Sequence, residues 1–163
     1  MDLFLDCEFN ETRGVLISIA LVPLDPGLLD FYVYRNDTDH LSLKPWVVDN
    51  VLPILDAEVM AFRESRIAFK DFPQELSKYL WHMHSVATAR GQRLNIVADW
   101  PSDPIYLFDL ILDPYVGSQK ISTPPFSVEL REDMDKSEQP LHPHNALSDA
   151  RAMARSARMA LNR

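Results

Sequence analysis

Three apolar runs open the chain. Leu3–Glu8 (LFLDCE) is aliphatic and aromatic until two acids interrupt it, Val15–Leu24 (VLISIALVPL) is almost unbroken, and Leu29–Tyr34 (LDFYVY) is rich in aromatic and β-branched residues. Separated by the polar NETRG and by the turn signal Asp25–Gly27 (DPG), they predict three strands in a meander. The periodicity then changes to that of helices. In LKPWVVDNVLPIL, Trp46, Val47, Asn50 and Val51 recur at helical spacing, with Pro45 in the first turn and Pro53 near the end. From Asp71 to Ala89 a stripe of Phe72, Leu76, Tyr79, Leu80 and Met83 predicts a longer helix, stopped at Gly91–Gln92. Leu94–Trp100 (LNIVADW) reads as a buried strand, and Pro104–Leu112 as a helix beginning just after PSDP. Residues 114–143 are the least regular, because Pro124, Pro125, Pro140 and Pro143 forbid a long helix; Phe126–Leu130 is a short strand candidate. Ala146–Leu161 is the last helix, with Asn145 or Ser148 placed to cap it. The order β-β-β-α-α-β-α-(β)-α predicts an α/β fold in one domain spanning 1–163.

Composition narrows the class. At 47% hydrophobic and 25% charged residues, the 163-residue chain matches an ordinary globular protein. No apolar run approaches the roughly 18 residues that a membrane span needs, and the start lacks the basic segment of a secretory signal. A cytoplasmic setting with no membrane partner is therefore expected. Cys7, the one cysteine, excludes an internal disulfide framework and a thiolate zinc cluster. The net charge of −8 argues against a protein that coats nucleic acid electrostatically. It does not argue against an enzyme that meets a phosphate backbone through bound cations.

Asp6 and Glu8 raise the chemical question. Residues i and i+2 of a strand point to the same face, so the two carboxylates stand side by side and disfavour joint ionisation. A positive charge between them would resolve the conflict. Further carboxylates stand at two other junctions. ADWPSDP offers Asp99 and Asp103 where a strand gives way to a helix, and HNALSD sets His144 five residues before Asp149 at the start of the last helix. Carboxylate oxygens are hard ligands suited to Mg²⁺ or Mn²⁺. Several of them around two divalent cations about 4 Å apart form the clamp used for in-line attack on phosphate esters. A histidine beside the attacking water has a pKa suited to taking its proton.

D-x-E near the start, an Asp at a strand-to-helix junction, and H-x4-D on the last helix together resemble the DEDDh 3′–5′ exonucleases. The phenylalanine in DCEF and the later PWVVDNVLP look most like their small single-domain bacterial and phage exoribonucleases. The resemblance runs from Leu3 to about Ala157. It implies a ribonuclease H-like fold: a mixed sheet, with a three-strand antiparallel meander plus parallel strands, flanked by helices. It also implies two cations, Mg²⁺ or Mn²⁺, held by Asp6, Glu8, Asp103 and Asp149, with His144 as general base. Asp103 is preferred to Asp99 because apolar helix residues follow it, and His144 to His142 because only His144 has the spacing. The implied substrate is a single-stranded 3′ end, RNA rather than DNA, and a homodimer is left open. Phe9, beside the first acidic pair, would pack against the terminal base or sugar, with Cys7 next to it; Cys7 itself reads as a small buried hydrophobe. Arg151, Arg155 and Arg158 form one stripe of the last helix, either a solvated face or a phosphate contact with Arg151 foremost. Trp46 and Trp81 read as core, Trp100, near the acidic strand end, as stacking a base or packing, with packing preferred, and His82 and His84 as surface or half-buried. The rival readings are a DNA-preferring exonuclease, an endonuclease on the same fold, from which His144 discriminates, and a nucleic-acid- or nucleotide-binding module without chemistry.

Overall fold

The three predicted strands are β1 (Asp2–Phe9), β2 (Leu16–Pro23) and β3 (Phe31–Arg35), paired antiparallel in a meander. They are seen in a computed structural model that describes residues 1–11, 14–58, 65–112, 120–134 and 137–162. Thr12 and Arg13 of the NETRG turn, and residues 114–119 of the proline-rich stretch, lie outside the described residues. A two-residue strand, β4 (Arg66–Ile67), joins β3 in parallel; β5 (Asn95–Ala98) joins β1 in parallel, and β6 (Ser127–Leu130) joins β5 the same way. The strand order is β4-β3-β2-β1-β5-β6. Helices α1 (Pro45–Asn50), α2 (Phe72–Ala89), α3 (Ser102–Ile111) and α4 (Ala146–Leu161) flank this mixed sheet. The result is an α/β architecture with the ribonuclease H-like layout. No helix among the described residues is long and apolar enough to cross a membrane.

Alternation along β1 divides the core in two. Leu3, Leu5 and Cys7 face a cluster with Leu76, Leu80 and Met83 of α2 and Tyr106 and Leu107 of α3. Phe4 faces the other way, into a cluster with Val47 of α1 and Ala146, Leu147 and Ala150 of α4. β2, buried along its whole length, is covered on both faces, which is why its sequence is an unbroken apolar run. α2 ends as its glycine predicts. Gly91 takes φ 67°, and the Gln92 and Gly91 N–H groups donate to the Ala87 and Thr88 carbonyls at 2.9 and 3.0 Å.

Three tryptophans correct the sequence-based expectation. Trp46, Trp81 and Trp100 are 51%, 43% and 59% exposed. α1 is too short to bury two sides, and Val47 and Val51 take the inward positions. Trp81 falls outside the stripe 72, 76, 79, 80, 83, 87 that α2 buries. Trp100 lies in the turn before α3, which starts at Ser102, so Asp103 occupies the helix's first turn.

Candidate metal centre

β1 and β5 run side by side with Leu5 opposite Ala98. One residue further on, both segments change from apolar to acidic, at Asp6 and at Asp99 just past β5. Alternation sets Asp6 and Glu8 on the Phe4 side, the side that α4 covers. The antiparallel register with β2 shifts between Glu8 and Phe9, an irregularity of the kind that re-aims side chains at a strand end.

α4 brings Asp149 in its first turn. Asn145 is the N-cap: its Oδ1 accepts from the Ser148 N–H at 3.1 Å. The Ser148 hydroxyl accepts instead from the His142 N–H at 2.8 Å, tying the preceding loop to the helix. Buried Ala146, Ala150 and Ala154 let α4 approach β1 and β2 more closely than α2 approaches any strand.

The carboxylates converge. Oxygens of Asp6, Glu8 and Asp149 lie within 4.8 Å of one another, and so do those of Asp6, Asp99 and Asp103. Asp6 belongs to both groups. The structure thus brings together all four sequence-predicted acids and also Asp99.

Their electrostatics is unfavourable as it stands. Burial first, then Asp103, Glu8, Asp149 and Asp99 hold the Asp6 carboxyl well above the usual carboxylate range. Burial and then Asp149 push Glu8 up to about 8. Burial, then Asp99 and Glu8, push Asp103 up to about 8, partly opposed by a hydrogen bond from the Cys7 backbone. Among the described residues, every side-chain charge acting on these three is another carboxylate. Asp103 is 1% exposed, and its Oδ2 has no hydrogen-bond partner. A buried, unsatisfied carboxylate oxygen inside an all-oxygen cluster fits a hard divalent cation.

Asp6, Glu8, Asp99 and Asp149 open into a cleft of about 600 Å³, whereas the buried Asp103 is not part of its lining. Its lining includes Asp6, Cys7, Glu8, Phe9, Asp99, Asp149 and His144, but not His142 or Arg151. His144 is exposed and has φ 67°, the single positive φ of a non-glycine residue among those described. Phe9 is half-buried and stacks on Tyr106 with ring centroids 4.7 Å apart. Cys7 is buried, and burial followed by the neighbouring Asp103 pushes its thiol up, which suits packing rather than nucleophilic attack. Arg151 is engaged elsewhere: its Nε donates to Asp30 at 2.8 Å and its Nη1 bonds Glu58. Arg155 reaches the Gln139 carbonyl at 3.0 Å and Arg158 the Leu24 carbonyl at 2.9 Å. The stripe staples α4 to its surroundings.

Sequence reasoning missed two parts of the cleft wall, Trp46 and the loop Glu138–Pro140, and preferred packing to base stacking for a third, Trp100. For the loop, no pattern along the chain signals that it folds back over α4. With this geometry in hand, no family model matches the chain, and neither does any curated protein.

Proposed function

We propose that the cleft is the active site of a two-metal 3′–5′ exonuclease. In this reading the enzyme hydrolyses phosphodiester bonds from the 3′ end of single-stranded or overhanging nucleic acid and releases nucleoside 5′-monophosphates. The observation that carries it is the sharing of Asp6 between two carboxylate groups, Asp6–Glu8–Asp149 and Asp6–Asp99–Asp103. A single cation site needs one such group; two groups with a common member suit a cation pair. Asp6, Glu8, Asp103 and Asp149 would hold Mg²⁺ or Mn²⁺, with Asp99 alongside. When bound, the cations would offset the carboxylate charge and polarise the phosphate.

The chain's own groups supply the rest. His144, on the exposed rim of the same cleft, takes the proton of the attacking water at its imidazole nitrogen. Its left-handed backbone costs energy, roughly 1 kcal/mol or more, which agrees with a functional position. Phe9, stacked on Tyr106 beneath it, offers an apolar surface for the terminal base or sugar. The preference for RNA over DNA and the cytoplasmic setting rest on the sequence resemblance.

The test is a gel time course on 5′-labelled single-stranded RNA and DNA of one sequence, with Mg²⁺, Mn²⁺ or EDTA. The expected result is a ladder that shortens one nucleotide at a time, depends on metal, and disappears in Asp6→Ala. The faster polymer names the preference. Metal-dependent binding without cleavage of either polymer would replace the enzyme with a binding module.

A further inference from the structure

Within this reading, in which His144 is the general base, the base needs a fixed direction. Its imidazole is exposed, and an exposed side chain on an open rim exchanges among staggered rotamers. One ring contact limits it: the Trp46 indole meets the His144 ring edge-on, with centroids 4.9 Å apart and planes at 79°. We propose that Trp46 is a positioning residue for His144, and that the segment from Lys44 to Leu55 is the cradle that aims the base at the carboxylates.

Three sets of contacts support this. The first fixes the backbone beside His144. Asn145 is 0% exposed, and its Nδ2 donates to the Ile54 carbonyl at 2.7 Å and to the Tyr32 hydroxyl at 3.2 Å. The Tyr32 hydroxyl in turn donates to the Leu55 carbonyl at 3.0 Å. The turn that follows α1 therefore holds the residue next to His144, while Trp46 within α1 holds the ring. The second anchors the segment that carries Trp46: Val47 and Val51 are buried in the core, which fixes α1 although the indole itself is half-exposed. The third links the cradle to the carboxylate strand. Asn10, two residues past Glu8, accepts from the Lys44 N–H at 2.7 Å and donates to the Ser42 carbonyl at 3.0 Å. One segment thus touches the His144 ring and the adjacent Asn145, and is tied to the end of β1. A displaced base loses rate steeply even when its pKa is unchanged.

The experiment measures kcat and KM on a 5′-labelled oligonucleotide for the wild type, W46F, W46A, H144A and the W46A/H144A double variant. W46A is expected to lower kcat about tenfold with KM within about twofold, since one aromatic contact is at stake. W46F restores most of the rate, and W46A adds nothing in the H144A background. A raised KM with effects that multiply in the double variant would make Trp46 a nucleotide contact and overturn the proposal. A second readout needs no turnover: the His144 ring protons, assigned by their loss in H144A, are shifted by the indole ring current in proton NMR. W46A should return them to the position of an unstacked histidine. An active wild type whose His144 protons do not move in W46A overturns the positioning role alone. A wild type without cleavage overturns the exonuclease reading and the base role with it.

Discussion

α2 meets the sheet through Phe72, Leu76, Leu80 and Met83, whereas α4 meets it largely through Ala146, Ala150 and Ala154, with Leu147 and Met153 the large side chains among them. Large side chains on the first face hold the helix off and fill the space between, and their burial supplies much of the stabilisation. Small ones on the second face bring the helix backbone close and leave less apolar area to bury. That face is secured by polar staples instead: Arg151 to Asp30 and Glu58, Asn145 to Ile54, Ser148 to the His142 N–H. Close approach is what lets a short acid, Asp149, reach carboxylates on β1. The two faces divide the work, one mainly stabilising and the other placing chemistry.

Substitutions in the two layers should separate those roles. Leu80→Ala, at a fully buried position, is expected to cost about 2–5 kcal/mol in urea unfolding while leaving turnover near wild type at low temperature. Ala150→Leu should cost less, about 1–3 kcal/mol, yet reduce turnover at least tenfold by lifting α4. Unchanged turnover in Ala150→Leu would end the claim that close packing serves the site.

Within the site, Asp103→Asn should reduce turnover by about 10²-fold and Asp99→Asn by about tenfold, measured on the same labelled oligonucleotide. The burial of Asp103 and its unsatisfied oxygen give it the larger effect. The reverse order would make Asp99 the principal ligand.

The raised carboxyls predict how stability depends on pH without metal. Their folded-state pKa values lie above the unfolded ones, so the folded protein binds more protons than the unfolded chain between about pH 4 and pH 8. Stability without metal should therefore fall steadily as pH rises through that window. Adding Mg²⁺ or Mn²⁺ should raise the melting temperature more at pH 8 than at pH 5, because cations compete with those protons. A flat profile in EDTA would show that the cluster is not under the repulsion described.

The smallest effect concerns the second face's staples. Arg151→Ala should cost about 1 kcal/mol and leave KM and its salt dependence unchanged, because Arg151 is paired with Asp30 and Glu58. A weakened salt dependence of substrate binding would reinstate Arg151 as a phosphate contact.

Long patterns were legible in the sequence. The meander, α2 and α4 follow from apolar runs and stripes that span several turns or alternations, and residue type narrows the α4 cap to Asn145 or Ser148, of which the structure uses Asn145. β4 and the turn Leu52–Ile54 were not, since two or three residues carry no period. The three tryptophans show the same limit: residue type does not say whether an indole points in or out, and neighbours decide. Asp6 and Glu8 were legible as a pair because a strand's geometry is local. That Asp99 joins Asp103 around Asp6 was not, because it depends on β5 pairing in parallel with a strand some ninety residues earlier.

By itself the sequence determined the types of the longer elements and the acid pair on one strand face, and narrowed the cap of α4 to Asn145 or Ser148, because each depends on residues within a turn or an alternation of one another. Only the tertiary structure decided that five carboxylates share one centre, that Arg151 is held by Asp30 and Glu58, and that Trp46 stands against His144. Those outcomes depend on parallel strand pairing and on how closely each helix can approach the sheet, which distant side chains set together.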